Sequence, residues 1–167
     1  NFLFAETKNN LGVKFQHAEN KFNDFEIETL LPHGNSRLGP GMAKGDLNGD
    51  GLEDVFIGGA LGQSGAIYFQ NNSGSFDQQF PEILAMDRKS EDLGALIFDF
   101  DSDGDNDLYV VSGGYENKAN DPKYADRLYE NIGNGKFKKT TDVLPNITIS
   151  GKSISAGDMD GDGDLDA

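Results

Sequence analysis

Three nine-residue windows share one spacing of oxygen-bearing side chains: DLNGDGLED from Asp46, DFDSDGDND from Asp99 and DMDGDGDLD from Asp158. Each fits D-x-[DN]-x-D-G-x-x-D, and their first aspartates stand 53 and 59 residues apart in a chain of 167. Recurrence at that period marks a repeat architecture, in which each unit is one supersecondary piece that stacks on its neighbours. The windows hold 14 of the 29 acids and no Lys or Arg, while the other 140 residues hold 15 acids and 14 bases. Nearly all of the formal net charge of −15 therefore lies in the three windows. A disordered acidic tail would form one block without apolar neighbours, whereas these windows sit between short apolar runs.

The pattern places oxygen side chains at positions 1, 3, 5 and 9 and a glycine (Gly51, Gly104, Gly163) at position 6. Carboxylates this close repel one another unless a cation neutralises them. The glycine permits a sharp turn through which alternating side chains converge on one point. Position 7 varies in type (Leu52, Asp105, Asp164), as expected of a residue that offers only its backbone carbonyl. Five or six oxygen ligands from a flexible loop suit Ca²⁺; Mg²⁺ prefers fewer protein ligands and more water. One Ca²⁺ per loop, three in all, would change the net charge from −15 to −9.

An EF-hand would need an acid at position 12 on a following helix, but that position is Ile57 in the first loop and Val110 in the second. The flanks read as strands: Met42–Gly45 and Val55–Ile57 around the first loop, Ala95–Phe98 and Leu108–Val111 around the second. Each unit continues with Gly58-Gly59 or Gly113-Gly114, a third strand (Ala66–Asn71, Arg127–Asn131), a turn at Ser73-Gly74 or Asn134-Gly135, and a fourth strand from Phe76 or Phe137. Four antiparallel strands per repeat predict an all-β fold of propeller blades. No helical period persists over three turns, and the polar stretch 115–126 reads as a loop insertion.

Leu38-Gly39, Gly41 and Gly58-Gly59-Ala60 around the first loop resemble the FG-GAP repeat of integrin α-subunit propellers, called VCBS repeats in bacterial relatives. The stretch LLPHGNSRLGPGMAKGDLNGDGLEDVFIGGA, residues 30–60, is similar to the exported bacterial branch associated with ASPIC/UnbV-type proteins. The resemblance covers roughly 30–167; the second repeat lacks the Ala of the GAP element. It implies a calcium-bearing β-propeller on secreted or surface proteins, serving recognition or adhesion. By resemblance the ligands are Asp46, Asn48, Asp50 and Asp54, then Asp99, Asp101, Asp103 and Asp107, then Asp158, Asp160, Asp162 and Asp166.

The expected organisation is an outer strand of a preceding blade plus a connection over 1–36, with Phe2–Thr7 as that strand. Repeats follow over 37–92 and 93–150, and the start of a third over 151–167. Two complete repeats do not close a propeller, so the sequence is expected to be part of a longer chain. An exported location, extracellular, cell-surface or periplasmic, is expected, since free calcium there matches the affinity of such modules.

A pI near 4.3 argues against nucleic acid, and no apolar run is long enough to span a bilayer. The absence of cysteine excludes disulfides and thiolate sites. No nucleophile motif or phosphate loop is present, so the region is expected not to be an enzyme. The alternative is a non-catalytic scaffold within a larger secreted enzyme. His17 and His33 stand in polar segments without zinc spacing, and Asp87, Glu91 and Asp92 read as a solvated inter-blade face. Arg37 is read as an inter-blade ion pair, with a channel-lining role as the alternative. Tyr115 and Tyr124 are candidates for a recognition surface, Tyr129 for inter-blade packing, and the ligand is an unidentified protein or glycan.

Overall fold

A computed structural model describes residues 11–163 and 165–167. The strand expected over Phe2–Thr7 lies outside them.

The runs that flank the acid loops form the strands, because β-branched and aromatic residues fit a pleated, half-buried surface. In the first sheet β1 (Met42–Gly45), β2 (Asp54–Ile57), β3 (Ala66–Gln70) and β4 (Phe76–Gln79) pair in chain order, all antiparallel. In the second, β5 (Glu91–Phe98), β6 (Asp107–Gly113), β7 (Arg127–Asn131) and β8 (Phe137–Thr140) do the same. Register matches between sheets: Val55 faces Tyr68 in one, and Leu108 faces Tyr129 in the other. The fold is all-β, two four-stranded blades side by side, a partial propeller that does not close among the described residues. Among the described residues the start of a third unit shows only the bridge between Gly157 and Asp166.

The central strands are buried almost along their length, and the outer strands β4 and β8 are not. The main core lies between the blades: Leu47, Phe56, Ile67 and Leu84 of the first unit close on Leu108, Val110 and Tyr129 of the second. Tyr129 therefore packs between blades, as expected. A smaller core, Ile57, Ala66 and Tyr68, is covered by Val13 and Phe15. The segment carrying them is tied to the blade by Phe76 N–H to the Leu11 carbonyl (2.6 Å) and by Gln63, which bonds Gln16 and Ala18. Residues 11–18 thus pack onto the first blade.

The first strands of the two blades approach through their backbones. Gly41 N–H donates to the Asp92 carbonyl (2.9 Å), and Asp92 N–H to the Gly59 carbonyl (3.0 Å). A Cβ on Gly41 would stand 2.7 Å from the Gly94 nitrogen, so no larger residue fits.

Among the described residues helix is confined to single turns, α1 (Asp24–Ile27) and α2 (Glu82–Met86), plus a 3-10 turn at Pro122–Tyr124 inside the expected loop insertion. Asn23 caps α1 by accepting from Phe25 N–H.

The expected solvated face at 87–92 is a correction. Glu91 and Asp92 are only 2% and 4% exposed and open β5, which starts before the apolar run at Ala95. The reason is pairing: Asp92 Oδ1 meets Arg127 Nη2 at 2.7 Å, and its Oδ2 accepts from Gly59 N–H at 2.8 Å. Asp87 is half-buried and accepts from Lys139 Nζ and Tyr129 Oη, each at 2.8 Å. Arg37 is exposed and makes no ion pair among the described residues.

Candidate metal centre

The first two acid loops are the turns from the first to the second strand of their units, and the third is closed by the bridge between Gly157 and Asp166. The first aspartate gathers the turn onto its carboxylate. Asp46 Oδ1 accepts from the N–H groups of Asn48, Gly49 and Asp50 (3.2, 2.7 and 3.2 Å), and Oδ2 accepts from Gly51 N–H (2.7 Å). Asp99 accepts from Asp103 and Gly104, and Asp158 from Gly161 and Gly163. Such side-chain-to-backbone bonds are the Asx turns that aspartate favours.

Position 6 has a positive φ in every loop: +83° at Gly51, +96° at Gly104 and +98° at Gly163. Position 4 does too, at Gly49, Ser102 and Gly161. This second requirement has its own signal in the sequence, glycine at position 4 in two of the three loops, which the pattern D-x-[DN]-x-D-G-x-x-D leaves out.

The aspartate at position 9 belongs to the second strand and looks back into the loop. Asp54 is fully buried and accepts from Leu47 N–H (2.9 Å) and Gln70 N–H (2.8 Å). Asp107, 1% exposed, accepts from Phe100 and Asn131 N–H, both at 2.8 Å. Burial, joined by repulsion from Asp50 and Asp46, pushes the Asp54 carboxyl above its usual range against those two backbone bonds. Burial, with repulsion from Asp101 and Asp103, does the same to Asp107.

In the second and third loops, positions 1, 3 and 9 bring one carboxylate oxygen each within 4.8 Å of the others: Asp99, Asp101 and Asp107, then Asp158, Asp160 and Asp166. In the first loop position 3 is Asn48, whose neutral amide oxygen accepts from Asp50 N–H at 2.9 Å. Position 5 stands outside these clusters. Asp50 and Asp103 instead accept from the N–H two residues on, Leu52 and Asp105 respectively, both at 2.9 Å. Asp162 has a partner of its own, and Asp164 lies outside the described residues. The donor set is all oxygen, acidic and free of bases, which fits a hard cation such as Ca²⁺.

Of the other candidates, His17 bonds Glu19 Oε1 through Nε2 (2.7 Å), and His33 is exposed. Tyr124 is buried, with its hydroxyl donating to the Asn117 carbonyl (2.9 Å). Tyr115 and Tyr124 line a cavity of about 620 Å³ together with Phe22 and Ile149.

The buried Glu91 behaves differently from the loop acids. Burial, with repulsion from Glu19, Glu116 and Asp92, raises its carboxyl to about 7 from 4.5. Below pH 4.5 it is neutral in both folded and unfolded chain. Between 4.5 and about 7 the unfolded chain releases the proton first, so this contribution to stability falls as pH rises. Glu91→Gln is expected to stabilise the protein at pH 8 by about 2–3 kcal/mol, with the gain gone by pH 4.5. Urea unfolding of both proteins across that range measures it; a constant difference would contradict it.

A family model described as an FG-GAP-like repeat matches residues 46–110 and again 99–167, each match opening on the first aspartate of a loop. No curated protein and no solved structure matches the chain.

Proposed function

The chain belongs to the FG-GAP-like repeat family, and from that premise we propose that it is the calcium-binding propeller region of an exported or cell-surface protein, serving recognition or adhesion without catalysis. The observation that carries the reading is the convergence of positions 1, 3 and 9 of the second and third loops within 4.8 Å. Asp46, Asn48 and Asp54, Asp99, Asp101 and Asp107, and Asp158, Asp160 and Asp166 would hold the ions, with position 5 and the position 7 carbonyl completing each shell. A bound Ca²⁺ supplies positive charge that cancels the carboxylate repulsion.

The chain's own residues do the remaining work. The first aspartate folds the turn, and the ninth, on the second strand, ties it to the third through Gln70 or Asn131 N–H. Loop order is thereby transmitted to blade order, so that metal occupancy and folding are linked.

Recognition is supported by the aromatic-lined cavity at Tyr115 and by neighbouring exposed apolar side chains, Ile27 at 67% and Ile149 at 66%. Among the described residues no helix is long and apolar enough to cross a membrane. A protein and glycan array probed with the chain in calcium and in EGTA tests this reading. Calcium-dependent binding is expected; binding to nothing in either condition would contradict it.

A further inference from the structure

Two asparagines of the second blade, at positions no metal pattern assigns, reach across the blade interface onto the first loop. Asn106, position 8 of the second loop, donates from Nδ2 to the Asp46 carbonyl at 2.8 Å. Asn131, at the end of β7 and 3% exposed, donates from Nδ2 to the Leu47 carbonyl at 2.8 Å and to the Asn106 carbonyl at 3.0 Å. Its Oδ1 accepts from Gly133 N–H at 3.1 Å. Only the amide nitrogen can face two carbonyl oxygens, so the orientation of Asn131 is dictated by its partners.

These bonds connect the ninth positions of two loops. Asp107 Oδ1 accepts from Asn131 N–H (2.8 Å), Asn131 Nδ2 donates to the Leu47 carbonyl (2.8 Å), and Leu47 N–H donates to Asp54 Oδ2 (2.9 Å). Every residue in the relay is buried: Asp107 1%, Asn131 3%, Leu47 and Asp54 0%. Water cannot substitute for a lost bond there, so displacing one member strains the next. The Leu47 side chain also fills the inter-blade core beside Leu108 and Tyr129, which leaves the loop backbone little freedom to absorb a shift. In the first blade the equivalent positions carry Glu53 and Gln70, and Glu53 is exposed and pairs with Lys44. The clamp therefore runs from the second blade to the first.

We propose that Asn131 and Asn106 are positioning residues that couple the first two loops, so that cation binding in one tightens binding in the other. This rests on the calcium reading above. The second loop acts by fixing Asp107, and the relay carries that constraint to Asp54 and to the backbone of Asp46 and Leu47. By linkage the effect is reciprocal.

The test is a calcium titration of the full 167-residue chain, following the amide NMR signals of Gly51 and Gly104, one per loop. Asp101→Ala disables the second loop without touching the relay. It is expected to weaken the first loop about 5- to 20-fold, within the usual range of coupling between sites. In an Asn131→Ala background, Asp101→Ala should leave the Gly51 midpoint unchanged. Asn106→Ala, which removes only the half-buried strut, serves the same comparison if Asn131→Ala does not fold. A Gly51 midpoint that is the same with and without Asp101→Ala in the otherwise wild-type chain would overturn the coupling alone. If neither glycine responds to calcium in the wild-type chain, the calcium reading falls and the coupling falls with it.

Discussion

Replacing Asp92 by alanine is expected to destabilise the protein by about 3–5 kcal/mol, because it strands a buried charge. Arg127 Nη2 loses its carboxylate at 2.7 Å, in a site where the two side chains are 6% and 5% exposed. What remains on the guanidinium is the 3.1 Å bond from Nε to Ser112 Oγ, which does not neutralise it. Gly59 N–H loses its acceptor as well. For a chain of this size the loss corresponds to a fall in Tm of roughly 10 °C or more. Replacing both partners with apolar residues, Asp92→Leu with Arg127→Met, should recover much of it, since no charge is then left unpaired. Urea denaturation in saturating calcium reads both variants; a loss below about 1 kcal/mol for Asp92→Ala would show that the pair is not the lock between β5 and β7.

Chelation is expected to have an effect at least as large, spread over three sites. A ligand at 100 times its Kd stabilises the folded state by about 2.7 kcal/mol per site, so three loops that each bind one ion would together contribute about 8 kcal/mol. Without cations, the carboxylates around Asp54 and Asp107 repel one another inside a half-closed turn. The Tm in excess EGTA should fall by well over 10 °C from its value in millimolar calcium. Sodium chloride at matched ionic strength should restore little of it, because screening weakens the repulsion among the exposed acids but supplies no ion that several oxygens of one loop can share.

The strands and loops were legible because each rests on a local signal. A carboxylate every second residue around a glycine marks the turn, and the apolar runs on either side mark β1, β2, β5 and β6. The start of β5 was not legible: Glu91 and Asp92 look solvent-bound, and only Arg127, 35 residues on, makes the burial of Asp92 tolerable. The packing of the loops' second residues was hidden for the same reason. Leu47 is fully buried against the next blade, whereas Phe100 and Met159, its equivalents, are 36% and 77% exposed. What differs is the neighbour, and Leu, Phe and Met carry no sign of it. Asn131 and Asn106 escaped notice because an asparagine at a strand end or in a loop is ordinary by composition, and its role depends on carbonyls 84 and 60 residues away.

The central claim is that the three acid loops are cation sites, and counting the ions tests it most directly. Native mass spectrometry of the calcium-equilibrated chain is expected to show up to three Ca²⁺ per molecule. One should be lost on changing Asp99 and Asp101 together to alanine, and a second on changing Asp158 and Asp160. A chain that carries no calcium at millimolar concentration, or that keeps the same number of ions after both pairs are removed, would contradict it.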